Sequence, residues 1–260
     1  MPQDTLKTMV DDILAGEPGC YSLAVKDLAS GRQWEWNPRP MRSASLIKIF
    51  IMIEAFRQSA DGRLNLDEKQ PVTEDVQVGG AGPLEHAAPG TLKTWYELID
   101  LMIVESDNTA TNMLINRLTF AAVNAAIAGL GCRDTVLRRK MMDFVSAEAG
   151  RENYTSVGEM VSVLECLYRH RCLGPDRDET MLSILRGQQD KCKLPLLLPE
   201  GVQLAHKTGE LDGAEHDAGI VYGPSRHYAI VAMSDDLPDA LRGQRTIARL
   251  SRAVYDSLNP

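Results

Sequence analysis

No Cys-x-x-Cys spacing occurs anywhere in the 260 residues. The cysteines, Cys20, Cys132, Cys166, Cys172 and Cys192, are odd in number and widely scattered, which argues against a disulfide framework and against a zinc site. Reduced, mostly buried cysteines in a cytoplasm fit that usage. Basic residues are also in the minority, 28 against 36 acidic, giving a formal charge of -8. No window gathers Lys and Arg with interleaved aromatics, so no nucleic-acid partner is expected. No apolar run approaches the ~20 residues a membrane span needs. The opening MPQDTLKTMVDDILAG carries acids and no apolar stretch of a secretion leader. The expectation is a cytoplasmic chain, or a periplasmic or secreted one where a leader has been removed. His86, His170 and His227 show no metal-ligand spacing, and neither metal nor cofactor is expected.

What is present is an ordinary globular composition, 44% hydrophobic and 25% charged, without repeats or low-complexity linkers. Leu6, Met9, Val10, Ile13 and Leu14 recur at helical spacing before Gly16 and Pro18. Residues 21–28 and 33–36 read as two strands joined around Ser30-Gly31. From Ser45 to about Arg186 the pattern turns almost wholly helical; after Lys193 it reverts to strands over 202–208, 218–222 and 227–233, with a closing helix near 239–258. Residues 1–40 and 190–260 therefore predict one α/β domain, residues 41–189 an all-helical one, with a site in the groove between them.

Lys48 stands out. Leu46, Ile47, Ile49, Phe50, Ile51, Met52 and Ile53 surround it, a helix apolar all round and hence buried. An ammonium buried without a partner costs several kcal/mol, so a chemical reason is expected. Ser45 lies three residues earlier, on the same helical face, where its Oγ and the lysine Nζ come within hydrogen-bond reach. Burial, and a second cation such as Lys207, would lower the lysine pKa towards that of a general base. At a helix N-terminus the serine N–H could also stabilise an oxyanion.

Three motifs sit where the groove would be lined: Ser45-Leu46-Ile47-Lys48, Ser106-Asp107-Asn108 and Lys207-Thr208-Gly209. A Ser-x-x-Lys match arises about once by chance in such a chain, and each tripeptide roughly 0.05 times. The combination, in this order, is the signal. Blander readings stand beside it. Ser45 could be an N-cap, Lys48 could snorkel, and Ser106-Asp107-Asn108 could be only a cap and turn. His206, His216 and Asp217 invite a Ser-His-Asp triad, but the G-x-S-x-G elbow is absent. The Met141-Met142 pair reads as core packing.

With these motifs the chain resembles the class A type of the serine β-lactamase and penicillin-binding protein superfamily, whose set is S-x-x-K, S-D-N and K-T-G. The likeness extends from the N-terminal helix and hairpin through SDNTATN, Ser106 to Asn112, to the closing helix. It implies an α/β (α+β) fold: an antiparallel sheet built from both termini and flanked by helices, packed against an all-α domain. It also implies roles. Ser45 would be the nucleophile, Lys48 its base, and Ser106 the proton relay to the leaving nitrogen. Asn108 would orient the acylamino carbonyl, with Asp107 bracing the turn. Lys207 and Thr208 of the Lys-Thr-Gly209 motif would meet a substrate carboxylate. The backbone N–H of Glu210 would complete the oxyanion hole with that of Ser45, leaving the Glu210 acid side chain unexplained.

Two departures bear on function. The family's R-x-E-x-x-x-N loop supplies the glutamate that activates the deacylating water. Aligning Arg139 with the loop arginine puts Met141 at the glutamate position and Val145 at the asparagine position. Asp143, Glu148 and Glu152 are the candidate deacylation bases, Asp143 being equally a salt-bridge partner for Arg139. The arginine that often follows K-T-G is replaced by the Glu215-His216-Asp217 stretch. The sequence thus predicts a serine hydrolase forming an acyl-serine intermediate, a β-lactamase opening the β-lactam amide. The alternatives are a D-alanyl-D-alanine peptidase or amidase, and a penicillin-binding protein or sensor that is acylated and deacylates slowly.

Overall fold

The computed structural model describes residues 3–260. Met1 and Pro2, at the head of the opening segment, lie outside the described residues. Five strands form one antiparallel sheet: β1 (Cys20–Asp27), β2 (Gln33–Trp36), β7 (Gln203–Leu211), β8 (Ala214–Tyr222) and β9 (His227–Asp235). Their order is β2-β1-β9-β8-β7, so the two ends of the chain share one sheet and β7 forms an edge. β9 pairs with β1 from Cys20 opposite Asp235 to Asp27 opposite Tyr228.

Both faces of this sheet are covered, which explains why its strands read as near-continuous apolar runs rather than as alternation. Successive residues of β9 still point to opposite faces. Tyr228, Ile230 and Ala232 join α1 (Gln3–Leu14) and α9 (Ala240–Leu258) in one core through Leu6, Val10, Ile247, Leu250 and Val254. Ala229, Val231 and Met233 face the other way, into a second core shared with the helices of the middle of the chain.

Those helices are α2 (Lys48–Ala60), α3 (Trp95–Val104), α4 (Asn108–Leu118), α5 (Phe120–Gly129), α6 (Phe144–Glu148), α7 (Val157–Tyr168) and α8 (Pro175–Arg186). α2 is buried over Lys48–Phe56, as its all-round apolarity predicts. Its one buried acid, Glu54, is satisfied by Arg57 at 2.6 Å and Gln58 at 2.7 Å. α3 starts with the reciprocal Thr94–Glu97 capping box.

The middle segment is less uniformly helical than its pattern suggests. β3 (Pro40–Arg42) pairs with β6 (Tyr154–Ser156), and β4 (Lys69–Val72) with β5 (Thr91–Thr94). These strands are three or four residues long, too short for a period of two to be told from chance. A second difference concerns Ser45. It does not open an α-helix; it lies in a 3-10 turn over Ala44–Ile47, and α2 begins only at Lys48. Leu46 N–H donates to Ser43 O at 3.0 Å, and Ser43 N–H to Asn153 O at 2.8 Å, tying this turn to the chain before β6.

Candidate active site

A cavity of about 370 Å³ opens between β7 and the helical segment. Ser45, Ser106, Asn108, Thr208, Gly209 and Glu210 line it, together with Met141, Arg139 and Glu152. Three elements bring the motifs together. The 3-10 turn presents Ser45, the bend between α3 and α4 presents Ser106 to Asn108, and the β7 edge presents Lys207 to Glu210.

Gly209 makes the closest of these approaches possible. A Cβ there would stand 3.1 Å from Ala44 Cβ and 3.2 Å from Ser45 N, so a side chain would push the edge strand off the serine turn. Three residues on the lining hold left-handed backbone without being glycine: Ala44 at φ +46°, Ser106 at +55° and Met142 at +62°. Such conformations cost of order 1–3 kcal/mol each and persist only where the surroundings fix them. Asp107 does part of that fixing. Its carboxylate caps α4 at Ala110 N (2.7 Å) and accepts Leu84 N at 2.8 Å from the neighbouring loop.

Ser106 Oγ is the hub of the polar network. It donates to Ser45 Oγ at 3.1 Å and accepts from Lys48 Nζ and Lys207 Nζ, each at 3.1 Å. Lys48 Nζ also donates to Ser106 O at 2.7 Å and to Asn108 Oδ1 at 2.9 Å. Lys207 donates to Thr208 O at 2.9 Å. The expected direct approach of Lys48 to Ser45 is thus replaced by a link through Ser106. The tighter 3-10 turn places side chains differently from the first turn of an α-helix.

Both lysines are wholly buried. Burial, and then the nearby Lys207 ammonium, holds the Lys48 pKa well below the ordinary lysine value, with Asp107 opposing. Burial lowers Lys207 to about 7 against the opposing charge of Asp217. Lys48 therefore does not snorkel; its stem and head are enclosed. Asn108 donates one amide N–H to Gly79 O at 3.0 Å while its oxygen accepts from Lys48 Nζ, so it bridges α4, the lysine and the loop across the cavity.

The three acids after Met141 take different places. Asp143 caps α6 through Ser146 N at 2.9 Å, the Ser146 hydroxyl and then this N–H lower its pKa, and Glu148 is exposed at the end of that helix. Glu152 lines the cavity, but both its oxygens are taken by Arg139, at 2.8 and 3.0 Å. The salt-bridge partner of Arg139 is thus Glu152, not Asp143, because Glu152 lies where the loop returns towards β6. Asn153 closes the same neck, accepting from Arg138 N and Arg139 N and donating to Arg139 O. Inside the loop, Asn112 holds Met141 from both sides: Met141 N–H donates to Asn112 Oδ1 at 2.8 Å and Asn112 Nδ2 to Met141 O at 3.1 Å.

The histidines form no triad with a serine. His206 Nδ1 meets Asp217 Oδ1 at 3.0 Å, and the other Asp217 oxygen accepts Leu194 N. His216 bonds Arg42 O and Ser234 N, and burial lowers its pKa to about 4. Sequence reasoning missed Lys193, a buried cation behind β7, and the role of Asn112. Lys193 borders the apolar run Leu194 to Leu198, but Lys191 stands two residues before it and nothing local marks which of the two is buried, whereas Asn112 lies inside the SDNTATN segment.

A family profile described as the β-lactamase enzyme family matches residues 5–258. A β-lactamase of Streptomyces albus G is 31% identical over 193 residues, 70% of this chain and 61% of that protein. The chain thus spans less than two thirds of that relative's length. The crystal structure of a β-lactamase from Sphaerobacter thermophilus superposes with a TM-score of 0.90 at 28% identity, covering 99% of this chain and 98% of the other. PBP-A superposes at 0.89, also at 28% identity, covering 97% and 95%.

Proposed function

Because the chain belongs to the β-lactamase enzyme family, we propose that it is a class A type serine hydrolase that opens the amide of β-lactams through an acyl-Ser45 intermediate. The observation that carries this reading is the Ser106 hub, with Ser45, Lys48 and Lys207 all bonded to one hydroxyl. Ser45 Oγ attacks the lactam carbonyl while its proton passes through Ser106 to Lys48 as the free amine. The lactam C–N bond then breaks, and Ser106 returns a proton to the ring nitrogen, leaving an ester on Ser45. The N–H groups of Ser45 and Glu210 serve the tetrahedral oxyanion, Asn108 the acylamino carbonyl, and Lys207, Thr208 and Gly209 the substrate's carboxylate end. Water finally cleaves the ester.

The division into residues 1–40 with 190–260 and residues 41–189 belongs to the same proposal, with the groove as their shared boundary. Among the described residues no helix is long and apolar enough to cross a membrane. Of the candidate deacylation bases, only Glu152 lines the cavity, and it is committed to Arg139. Deacylation is accordingly the slow half of the reaction. Timed mass spectrometry with benzylpenicillin, alongside nitrocefin turnover, tests this. A penicilloyl adduct on Ser45 followed by product release is expected, and absence of any adduct and of turnover overturns the assignment.

A further inference from the structure

The acyl-transfer scheme uses Glu210 only through its backbone, yet its carboxylate is held in a specific place. Lys193 Nζ donates to Glu210 Oε1 at 2.7 Å and stands 3.0 Å from Glu215 Oε2 and 3.3 Å from Asp190 Oδ2. Ligand atoms of Asp190, Cys192 and Glu210 lie within 4.8 Å of one another, and the cation among these acids is the Lys193 ammonium itself. Burial pulls the Lys193 pKa down, but Glu210, Glu215 and Asp190 together push it above the ordinary lysine value, so it stays charged. The Lys193 side chain has no exposure while that of Glu210 keeps 56%. Asp190 and Glu210 line the cavity and Lys193 does not. The cation therefore lies behind and the carboxylates in front.

The rest of the lining does not offset them. The lining as a whole carries one basic residue, Arg139, and four acids, Glu105, Glu152, Asp190 and Glu210, a formal charge of −3. Arg139 is already spent on Glu152. Lys48 and Lys207 are wholly buried and do not line the cavity, and in the acyl-transfer scheme Lys207 faces the ring carboxylate that every penicillin shares, so it does not sort donors by a further charge. A cleft lined by one sign of charge between low-dielectric walls focuses that charge on whatever enters.

Taking the groove as the acyl-transfer site, we infer that Glu210, positioned by Lys193, sorts acyl donors by charge, favouring those that carry an ammonium and disfavouring those with a second carboxylate. Its carboxylate is the one acid that is ion-paired to a buried cation, over half exposed and adjacent to Gly209 on the β7 edge.

The test uses three penicillins that share the ring and its carboxylate: ampicillin with an ammonium, benzylpenicillin with a neutral side chain and carbenicillin with a second carboxylate. Acylation rate constants of Ser45 from stopped-flow and quenched mass spectrometry are expected to fall in that order. The extremes should differ by about tenfold or more at low ionic strength, the scale of a unit charge some ångströms from a carboxylate at a protein surface, and high salt should compress the spread. Glu210→Gln is expected to remove most of the spread, and Asp190→Asn, which leaves Glu210 and Lys193 paired, to remove less. Binding of the same three compounds to Ser45→Ala, which cannot be acylated, reports the charge order independently of chemistry. A flat or reversed order there and in the wild type, or a spread untouched by Glu210→Gln, overturns the inference. Binding in the predicted order with no acylation of the wild type upholds it and sinks the acyl-transfer reading alone.

Discussion

Ser106 Oγ donates to Ser45 Oγ at 3.1 Å while accepting from Lys48 Nζ at the same distance, so the proposed nucleophile reaches the buried amine through a second hydroxyl. Lys48→Met relieves the burial of the amine but leaves Ser106 O and Asn108 Oδ1 without their donor, at about 1–3 kcal/mol for each unpaired acceptor. Its Tm should fall by a few degrees while the fold is kept. Acylation should fall by ~10²-fold or more, the range for losing general-base assistance. Ser106→Ala should show a comparable loss, because it cuts the same route. Wild-type acylation in both variants would show that the proton leaves Ser45 by another path.

Lys207 gives a pH signature in stability. Its folded pKa of about 7 lies below the ordinary lysine value of 10.5, so between these values the unfolded chain binds the proton and the folded one does not. Stability then rises with pH through that window. Lys207→Met should lose this contribution, gaining stability relative to wild type below pH 7 and converging with it towards pH 10. The cysteines, shifted upward, act in both proteins and cancel in the difference, whereas Lys48, lowered by burial and then by Lys207, is released in part by Lys207→Met and adds a smaller difference of the same sign. Urea denaturation of both proteins across the window checks it, and parallel curves would refute it.

Arg139 and Glu152 close the neck of a loop that carries Met141, Met142 and Asp143. Their side chains are 7% and 13% exposed, so the pair is largely desolvated. Glu152→Gln leaves the guanidinium without its anion and should cost about 3 kcal/mol, the low end for breaking a buried pair. The loss should appear as a lower Tm and as faster proteolysis within 139–152. Asp143→Asn, which keeps an acceptor oxygen for the cap of α6, should be nearly neutral. Equal effects would mean that the neck does not hold the loop.

Much of this arrangement was legible from short-range pattern. The apolar run Ile49 to Ile53 announced a buried helix, and three polar motifs at element edges announced a groove. Two kinds of feature were not. The first is fine backbone geometry: a 3-10 turn and an α-helical first turn differ by one hydrogen-bond step, which Ser45 to Lys48 does not encode. The second is long-range pairing of charges. Arg139 has Asp143 four residues away and Glu152 thirteen away, and only the loop's return beside Asn153 selects Glu152. Lys193 meets Glu210 and Glu215 for the same reason, through the packing of β7 and β8.

In the proposed reaction Met141 governs how long the acyl-enzyme lasts. Asn112 fixes its backbone through both N–H and C=O, and Met141 lines the cavity with Ser45 and Asn108. A thioether there has no proton-accepting power to activate water, so ester hydrolysis lacks the general-base help worth ~10² to 10⁴ in rate. In the wild type the adduct should therefore outlive its formation and dominate the steady state. Met141→Glu keeps the Asn112 clamp, which grips only backbone, and puts a carboxylate where the methionine side chain stands. It should shorten the adduct lifetime by ~10-fold or more with acylation little changed, because acylation uses Ser45, Lys48 and Ser106. Glu152→Gln should leave the lifetime unaltered if that acid only holds Arg139. Timed mass spectrometry after a benzylpenicillin pulse separates these outcomes. Rapid wild-type deacylation that Glu152→Gln abolishes would transfer the base to Glu152. Rapid deacylation that survives in Glu152→Gln, Asp143→Asn and Glu148→Gln would mean that a group other than these carboxylates activates the water.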